Sequence, residues 1–223
     1  DFRVEARIPI GMGLGSSAAF AVAAIRAVCA LLGVEKSDLE IDRLAFRCEE
    51  LTHGTPSGID NNLATFGEPV LYSRGSRTRT RPITLRELPP LVIAVSGERG
   101  DTKSMVAGVR ERFDRNQALY ESLFDEINEI SVAGAAALRE GDYELLGALM
   151  NVCHGLLNAI EVSTPDLERM IGIARDAGAL GAKLTGAGGG GSIIALCPGK
   201  VAEVSSALRA AGFDIVYLDK EGQ

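Results

Sequence analysis

The amino-acid sequence predicts an α+β protein, because strand-like and helix-like segments are mixed and no regular strand–helix–strand unit repeats. Two apolar segments, 91–95 and 192–196, have the length and composition of buried strands. Between them lie three long segments of helical period, 102–114, 117–140 and 143–159. This irregular order favours the α+β class over a doubly wound parallel sheet.

The N-terminal part begins with apolar and charged residues in alternation over 2–8, which predicts a half-buried strand. Ser16 and Ser17 then offer the N-cap of a helix over 18–32. That helix is apolar on every side apart from Arg26, so we expect it to be a buried central helix.

Thr55 and Pro56 have the residue types of an N-cap and a first helical position, and predict a short helix that ends near Phe66. The paired prolines at 89–90 are the predicted domain boundary, which gives domains over 1–88 and 89–223. The remaining predicted elements are helices over 37–52, 165–177 and 200–211, and strands over 70–72, 78–85 and 213–218.

Composition argues against several classes of partner. The chain carries 23 Lys and Arg against 30 Asp and Glu, a net charge of −7, and it lacks the basic stripe that is typical of nucleic-acid binders. Its densest basic stretch, 74–81, is interleaved with polar residues and predicts a solvated hairpin or edge strand. No uncharged apolar run is long enough for a membrane helix. We therefore expect no nucleic-acid partner and no membrane partner.

The four cysteines predict reduced, mostly buried thiols. Cys48 with His53 and Cys153 with His154 could in principle form a zinc site, but neither spacing matches a usual zinc motif. The charged first residues do not resemble a signal peptide. These observations predict a cytoplasmic protein.

Gly11, Gly13 and Gly15 lie between the predicted strand and the predicted helix, in a segment that we call the first glycine loop (11–17). Glycines allow positive φ and close approach of a ligand, and a helix N-terminus favours anions. The loop has no Gly-Lys-Ser/Thr and its glycines alternate, so neither the Walker nor the Rossmann pattern fits. Taken alone, the loop is either a phosphate-binding segment or a tight packing turn.

Glu49 and Asp60 lie on either side of a predicted helix break. Such a bend can direct both carboxylates to one place, where a metal ion and an acceptor hydroxyl could meet. The alternative is that Glu49 is a solvated helix residue and Asp60 a charge at a helix start. We interpret His53 as a helix-end or packing residue.

A second glycine loop covers 185–192 and contains Gly186 and 188–191. Ordering such a run costs about 0.5–1 kcal/mol for each glycine relative to alanine. A ligand or a neighbouring loop at close approach would explain that cost, whereas a flexible hairpin is the alternative.

Together these segments resemble the GHMP kinase superfamily. The sequence over 11–19 is similar to its second motif and 185–192 to its third. The segments 53–61, 101–103 and 106–110 are most similar to the mevalonate kinases of that superfamily. The resemblance runs through nearly the whole chain. It implies a two-domain fold with an N-terminal domain like ribosomal protein S5, truncated here, and a ferredoxin-like C-terminal domain.

The resemblance implies a phosphotransferase that uses ATP and Mg²⁺ to phosphorylate the C5 hydroxyl of mevalonate, and it leaves a homodimer open. Asp60 would be the catalytic aspartate facing that hydroxyl, while Ser17 and Glu49 would hold Mg²⁺. The residues implied to wrap the ATP phosphates are Gly11, Gly13, Leu14, Gly15, Ser16 and Ser17. Those implied to line the substrate and phosphate cleft, besides Asp60, are Thr102, Thr185, Gly186 and Ala187; Thr102 is alternatively the N-cap of the following helix.

One departure from the superfamily is large. Its first motif carries a lysine near the transferred phosphate, and no lysine of this sequence matches that position; Lys103 and Lys183 belong to other motifs. We therefore expect the 223-residue chain alone to be weakly active or inactive. The alternatives are a phosphomevalonate kinase, a kinase for the mevalonate 3-hydroxyl, a related ATP-dependent decarboxylase, and a nucleotide-binding module without catalysis.

Overall fold

The computed structural model describes residues 3–53, 56–74, 78–85 and 87–216. Helices and strands are mixed along this part of the chain, which confirms the predicted α+β class. The chain divides into a small unit, residues 15–84, and a large unit, residues 1–14 and 85–223. The predicted division into 1–88 and 89–223 stays a prediction. Among the described residues, no helix is both long and apolar enough to cross a membrane.

The described residues of the small unit form three helices and a pair of strands. Its core is formed where α2 (Asp38–His53) and α3 (Ile59–Phe66) pack on α1 (Ser16–Leu32), around Ala21, Val22, Ile41 and Ala45. The two strands pair antiparallel, with Val70 opposite Pro82, so Arg74 and 78–81 of the basic stretch lie on paired strands, while 75–77 lie outside the described residues. The elements are α1 (Ser16–Leu32), α2 (Asp38–His53), α3 (Ile59–Phe66), β1 (Val70–Arg74) and β2 (Thr78–Pro82).

Two predictions for the N-terminal part are wrong. Residues 3–7 form no strand, and Val4 is 59% exposed, because an alternating pattern becomes a strand only with a hydrogen-bonding partner, and none of the described strands pairs with it. Helix α1 is not buried on every side, since Phe20 and Leu31 are 55% and 76% exposed. Only one face of α1 is covered within the small unit.

The large unit is built on a four-stranded antiparallel sheet of order β4-β5-β3-β6. This is the strand order of a ferredoxin-like βαββαβ fold, with three additional helices after its first strand. Helix α7 packs on β4 and β5, and α8 packs on β3 and β6. The elements are β3 (Leu91–Val95), α4 (Thr102–Arg115), α5 (Gln117–Glu140), α6 (Tyr143–Ala159), α7 (Pro165–Asp176), β4 (Gly181–Thr185), β5 (Ser192–Leu196), α8 (Val201–Ala210) and β6 (Asp214–Val216).

The core of the large unit lies between the sheet and helices α7 and α8. Leu167, Met170, Leu184, Ile193 and Leu208 are all buried there at 1% exposure or less. This core fixes the ends of β4 and β5, and the second glycine loop connects those two strands. The sheet therefore holds both ends of the loop in place.

Candidate functional site

The first glycine loop has a backbone that requires its glycines. Gly11, Gly13 and Gly15 have φ of 78°, 71° and 70°, in the left-handed region that side chains disfavour. Gly15 is also the N-cap of α1, with no side-chain cap. The predicted serine caps are thus wrong, because the helix begins at Ser16. The boundary between the two units falls inside this loop, between residues 14 and 15.

Ser17 lies in the first turn of α1, and its hydroxyl donates a hydrogen bond of 2.6 Å to Glu49 Oε1. Glu49 comes from α2 and is only 5% exposed. The alternative reading of Glu49 as a solvated helix residue is therefore wrong. A buried carboxylate directed at a helix N-terminus is favoured by the helix dipole.

Asp60 lies beside the end of the same loop, within the small unit. A Cβ placed on Gly15 would lie 3.5 Å from Asp60 Cγ. Asp60 is an exposed residue of the first turn of α3, which follows the N-cap Gly58 with φ of 85°. Gly15, Ser17, Glu49 and Asp60 thus gather around the start of α1.

The position of α3 is set by side chains on two other elements. The Asn61 amide donates to Asp42 Oδ1 of α2 at 2.6 Å, and Asn61 is buried. The Tyr72 hydroxyl of β1 donates to the Ser57 carbonyl at 2.7 Å. These bonds hold both sides of Gly58, and so they orient the first turn that carries Asp60.

The predicted start of α3 at Pro56 is wrong, since the helix begins at Ile59. Gly58 adopts a left-handed conformation that ends any continuous helix through Pro56. The Ser57 hydroxyl accepts from the Ile59 N–H at 3.2 Å, which stabilises this turn. Thr55, the predicted N-cap, lies outside the described residues, as does Gly54.

The oxygen atoms of Ser17 and Glu49 form a donor set that suits Mg²⁺. This ion prefers oxygen ligands and is usually held by one or two carboxylates together with substrate phosphates. Within the described residues, no group of three His, Cys, Asp or Glu side chains forms a metal cage. A site of one buried carboxylate and one hydroxyl fits the manner in which nucleotide-bound Mg²⁺ is held.

The second glycine loop packs against the part of the first loop that belongs to the large unit. The Ser192 hydroxyl donates to the Met12 carbonyl at 2.6 Å. A Cβ placed on Gly186 would lie 2.9 Å from Gly13 Cα, and one on Gly13 would lie 3.2 Å from Thr185 O. Gly186 is exposed, and Thr185 and Ala187 are half-buried. The second loop is thus an ordered, packed segment, and the flexible-hairpin alternative is wrong.

Thr102 is the first residue of α4 and is exposed. The N-cap of α4 is Asp101, whose side chain accepts from the Lys103 and Ser104 N–H groups. The alternative role of Thr102 as N-cap is therefore wrong. Hydrogen bonds from the Ser104 side chain and backbone hold the pKa of Asp101 below its ordinary value. An ionised N-cap stabilises the helix end on which Thr102 lies.

The two lysines near these motifs differ in environment. Lys183 lies in β4, and its ammonium donates to the Leu184 carbonyl at 2.7 Å. Burial lowers the pKa of Lys183. Lys103 lies exposed in the first turn of α4.

Arg99 is a site-adjacent residue that the sequence did not indicate. Its side chain lies over Gly11, where a Cβ would come within 3.2 Å of Arg99 Cδ. A positive charge beside a loop of this type favours anions. Its proximity follows from long-range packing, because 88 residues of sequence separate the two positions and no local pattern links them.

The small unit also has a surface cavity of about 350 Å³. None of the predicted site residues lines it. Its lining residues are Leu39, Asn62, Phe66, Glu68, Val70, Thr80 and Pro82.

Comparison with protein families places these features in a known class. The model of the GHMP kinases N terminal domain matches residues 1–68, and the model of the GHMP kinases C terminal domain matches residues 135–214. The first match contains Ser17, Glu49 and Asp60, and the second contains the second glycine loop. The chain belongs to the GHMP kinase family, which confirms the fold predicted from the resemblance.

Several proteins similar to this chain are mevalonate kinases. The chain is 43% identical to the mevalonate kinase of Pyrococcus horikoshii over 217 residues, which cover 95% of this chain and 64% of that protein. It is 43% identical to the mevalonate kinase of Methanothermobacter thermautotrophicus, with 93% and 68% covered. The crystal structure of L. major mevalonate kinase in complex with R-mevalonate matches with a TM-score of 0.82 at 35% identity, with 88% and 61% covered. The chain thus spans about two thirds of the length of these relatives.

Proposed function

We propose that the protein transfers the γ-phosphoryl group of ATP to the C5 hydroxyl of mevalonate, giving 5-phosphomevalonate and ADP. Membership of the GHMP kinase family and the similarity to mevalonate kinases support this proposal. The single observation that carries it is the gathering of Ser17, Glu49 and Asp60 around the start of α1. A kinase needs a phosphate-binding backbone, ligands for a metal ion and an acidic group for the acceptor, and these residues supply all three.

Asp60 is proposed to accept a hydrogen bond from the C5 hydroxyl and to align its oxygen for in-line attack on the γ-phosphorus. The bond from that phosphorus to the β–γ bridging oxygen breaks, and ADP leaves with the electron pair. The hydroxyl proton passes to Asp60. Because phosphoryl transfer has a loose transition state, orientation of the acceptor is the main contribution of Asp60.

The first glycine loop is proposed to bind the ATP phosphates through its backbone N–H groups and the positive end of α1. Ser17 and Glu49 would hold Mg²⁺, which when bound neutralises charge on the phosphates. The residues proposed to contact the phosphates are Gly11, Gly13, Leu14, Gly15, Ser16 and Ser17. Thr102, Thr185, Gly186 and Ala187, which belong to the large unit, are proposed to contact the substrate and the phosphates.

Homodimer formation and a cytoplasmic location stay predictions. Sedimentation velocity on the purified protein would test the first of them, since the mass of a 23.5 kDa chain is readily distinguished from that of its dimer.

The decisive experiment is Asp60→Asn in the protein expressed from the complete coding sequence. We expect kcat with ATP and mevalonate to fall by about 100-fold or more, because the amide cannot take the hydroxyl proton. The affinity for Mg-ATP, measured by calorimetry, should stay close to that of the parent protein. Asp125→Asn is the matched control, since Asp125 is an exposed aspartate of α5, and it should leave kcat unchanged.

The same assay separates the alternative functions. Phosphorus NMR of the product distinguishes phosphorylation at C5 from phosphorylation at C3, and 5-phosphomevalonate as acceptor tests the phosphomevalonate kinase alternative. A decarboxylase would release carbon dioxide. Binding of Mg-ATP without turnover of any acceptor by the complete protein would overturn the proposal in favour of a nucleotide-binding module.

A further inference from the structure

The turn after α6 contains an unusual backbone conformation. Glu161 has φ of 60°, and among the described residues it is the one non-glycine with positive φ. A side chain in this region is strained, and such strain persists only where surrounding contacts impose it. Part of this is local, since the Glu161 N–H donates to the Asn158 carbonyl at 2.8 Å and the Val162 N–H to the Leu157 carbonyl at 3.3 Å, the two backbone bonds of a Schellman helix end. A glycine is usual at the left-handed position of this motif, so a glutamate there gains from further contacts that hold the turn 160–162.

This turn is in direct contact with the second glycine loop. The Val162 carbonyl accepts a hydrogen bond from the Gly189 N–H at 2.8 Å. A Cβ placed on Gly188 would lie 2.1 Å from the same carbonyl oxygen. The position of the Val162 carbonyl thus sets where the middle of the loop lies.

Arg112 of α4 adds side-chain contacts to the backbone bonds that hold the turn. Its Nη2 donates to the Ile160 carbonyl at 2.9 Å, and its Nη1 lies 3.6 Å from Glu161 Oε2. The Arg112 side chain is 25% exposed, whereas that of Arg115, one turn later, is 72% exposed. Arg112 is therefore directed into the molecule to reach the turn.

The Arg112 guanidinium explains why α4 contains a glycine at position 108. A Cβ at this position would lie 3.2 Å from Arg112 Nη1, so the glycine leaves room for the guanidinium. A glycine in a helix interior lowers stability, but here the contacts that the Arg112 guanidinium can make offset that loss. The same helix contacts the second glycine loop directly, since a Cβ on Gly189 would lie 2.8 Å from Met105 Cγ.

We propose that Arg112 is a positioning residue, which holds the turn 160–162 in its strained conformation and thereby fixes Gly188 and Gly189 of the second glycine loop. Arg112 contacts no substrate in this role. It acts through the Val162 carbonyl, and α4 joins it to Thr102 at the other end of the helix. An effect of Arg112 on KM for Mg-ATP rests on the proposed function, whereas an effect on hydrogen exchange in the second glycine loop does not.

The first test compares Arg112→Met with Arg115→Met. Methionine keeps the aliphatic length but removes the donors, and Arg115 is an exposed arginine of the same helix. We expect hydrogen exchange of the amides over 186–192 to become about tenfold faster in Arg112→Met, with no change in Arg115→Met. In the complete protein, KM for Mg-ATP should rise about tenfold in Arg112→Met, with KM for mevalonate much less affected.

A second pair of variants tests the turn with Arg112 unchanged; both variants remove the Glu161 carboxylate and its contact with Arg112, so they differ in backbone preference. Glu161→Gly keeps the positive φ without strain and should leave exchange over 186–192 as in the parent. Glu161→Val disfavours that conformation and should reproduce the fast exchange. This pair tests the link from the turn to the second glycine loop, on which the proposal depends, even if Arg112→Met does not fold.

Three results would overturn the positioning role. They are parent-like exchange over 186–192 in Arg112→Met, faster exchange spread evenly over the large unit, and parent-like exchange in Glu161→Val. If the complete protein without substitutions does not phosphorylate mevalonate, the proposed function fails. The hydrogen-exchange measurements then still test the role of Arg112.

Discussion

The two glycine loops use the same residue for different reasons. In the first loop, Gly11, Gly13 and Gly15 have positive φ, yet a Cβ at any of them would lie at least 3.2 Å from its neighbours. In the second loop, Gly188 and Gly190 would place a Cβ at 2.1 and 2.9 Å from backbone oxygens. The first loop therefore needs glycine for backbone conformation, and the second needs it also for close packing.

This difference indicates that the two loops have different roles. The first loop is less tightly enclosed than the second, since the nearest contacts of a Cβ on Gly11 and on Gly15 would be side-chain atoms of Arg99 and Asp60 and not backbone. A segment that receives an anion on its backbone requires such access. The second is enclosed by Met12, Glu98, Met105 and Val162, and the hydrogen bond from Gly191 N–H to Glu98 O adds to this enclosure. We infer that the second loop acts as a rigid support. Substitution of most of its glycines should therefore lower the free energy of unfolding more than it weakens ligand binding.

Among the substitutions that compare the two loops, Gly188→Ala is expected to lower the free energy of unfolding most. The new methyl group would overlap the Val162 carbonyl, and its φ of 81° is disfavoured for alanine. Left-handed strain and overpacking together should lower the free energy of unfolding by about 2–5 kcal/mol. Urea denaturation of the purified chain measures this value.

The control for Gly188→Ala is Gly172→Ala in α7. That glycine has open space where a Cβ would lie, and it is helical, so alanine should stabilise by about 0.5–1 kcal/mol. If Gly188→Ala were as stable as the parent chain, the second loop would not be the rigid support described above.

An intermediate effect is expected for Gly13→Ala. The Cβ would lie 3.2 Å from Thr185 O, a contact that a small shift can relieve, so left-handed strain of about 1–2 kcal/mol should account for most of the loss in stability. The larger consequence should be for Mg-ATP, because a methyl group on this loop obstructs the approach of phosphate to the backbone. Calorimetry should therefore show weaker binding of Mg-ATP to Gly13→Ala. Its free energy of unfolding should nevertheless be well above that of Gly188→Ala. Equal destabilisation by the two variants would contradict the comparison.

Elements with complete local signals could be predicted from the sequence. Helices α5 and α6 have the predicted bounds, 117–140 and 143–159, because Gly141 ends one helix in a left-handed conformation and Asp142 caps the next. Strands β3 and β5 also have their predicted bounds, since continuous apolar runs are typical of buried strands. These signals depend on residues close together in sequence.

Strand β4 was not predicted, because its cause lies elsewhere in the chain. Its residues include Gly181, Ala182 and Lys183, which have little strand propensity. The small residues are needed because α6 packs closely on β4, and a Cβ on Gly181 would lie 2.2 Å from the Gly147 carbonyl. Pairing with β5 then completes the strand.

The candidate site shows the same limit. The sequence indicated the residue types of the site at Ser17, Glu49 and Asp60, and the resemblance implied that Ser17 and Glu49 hold one metal ion, but local propensity assigned Ser17 to a helix cap. The hydroxyl instead bonds to a carboxylate 32 residues away, and Ser192 bonds to Met12 across 180 residues. Local patterns predict which chemistry is present, whereas the partners of each group depend on tertiary packing.

The smallest loss of stability is expected for Gly11→Ala, which tests most directly whether the first loop needs glycine for backbone conformation alone. The three atoms nearest to the new Cβ all belong to the flexible Arg99 side chain, which can move aside. The expected loss is therefore about 1 kcal/mol from left-handed strain alone. A double-mutant cycle with Arg99→Ala separates strain from contact, because strain is independent of residue 99. We expect a coupling energy below about 0.5 kcal/mol, as for independent effects. A coupling well above this value would show that Gly11 is also required for packing, and the first loop would then resemble the second.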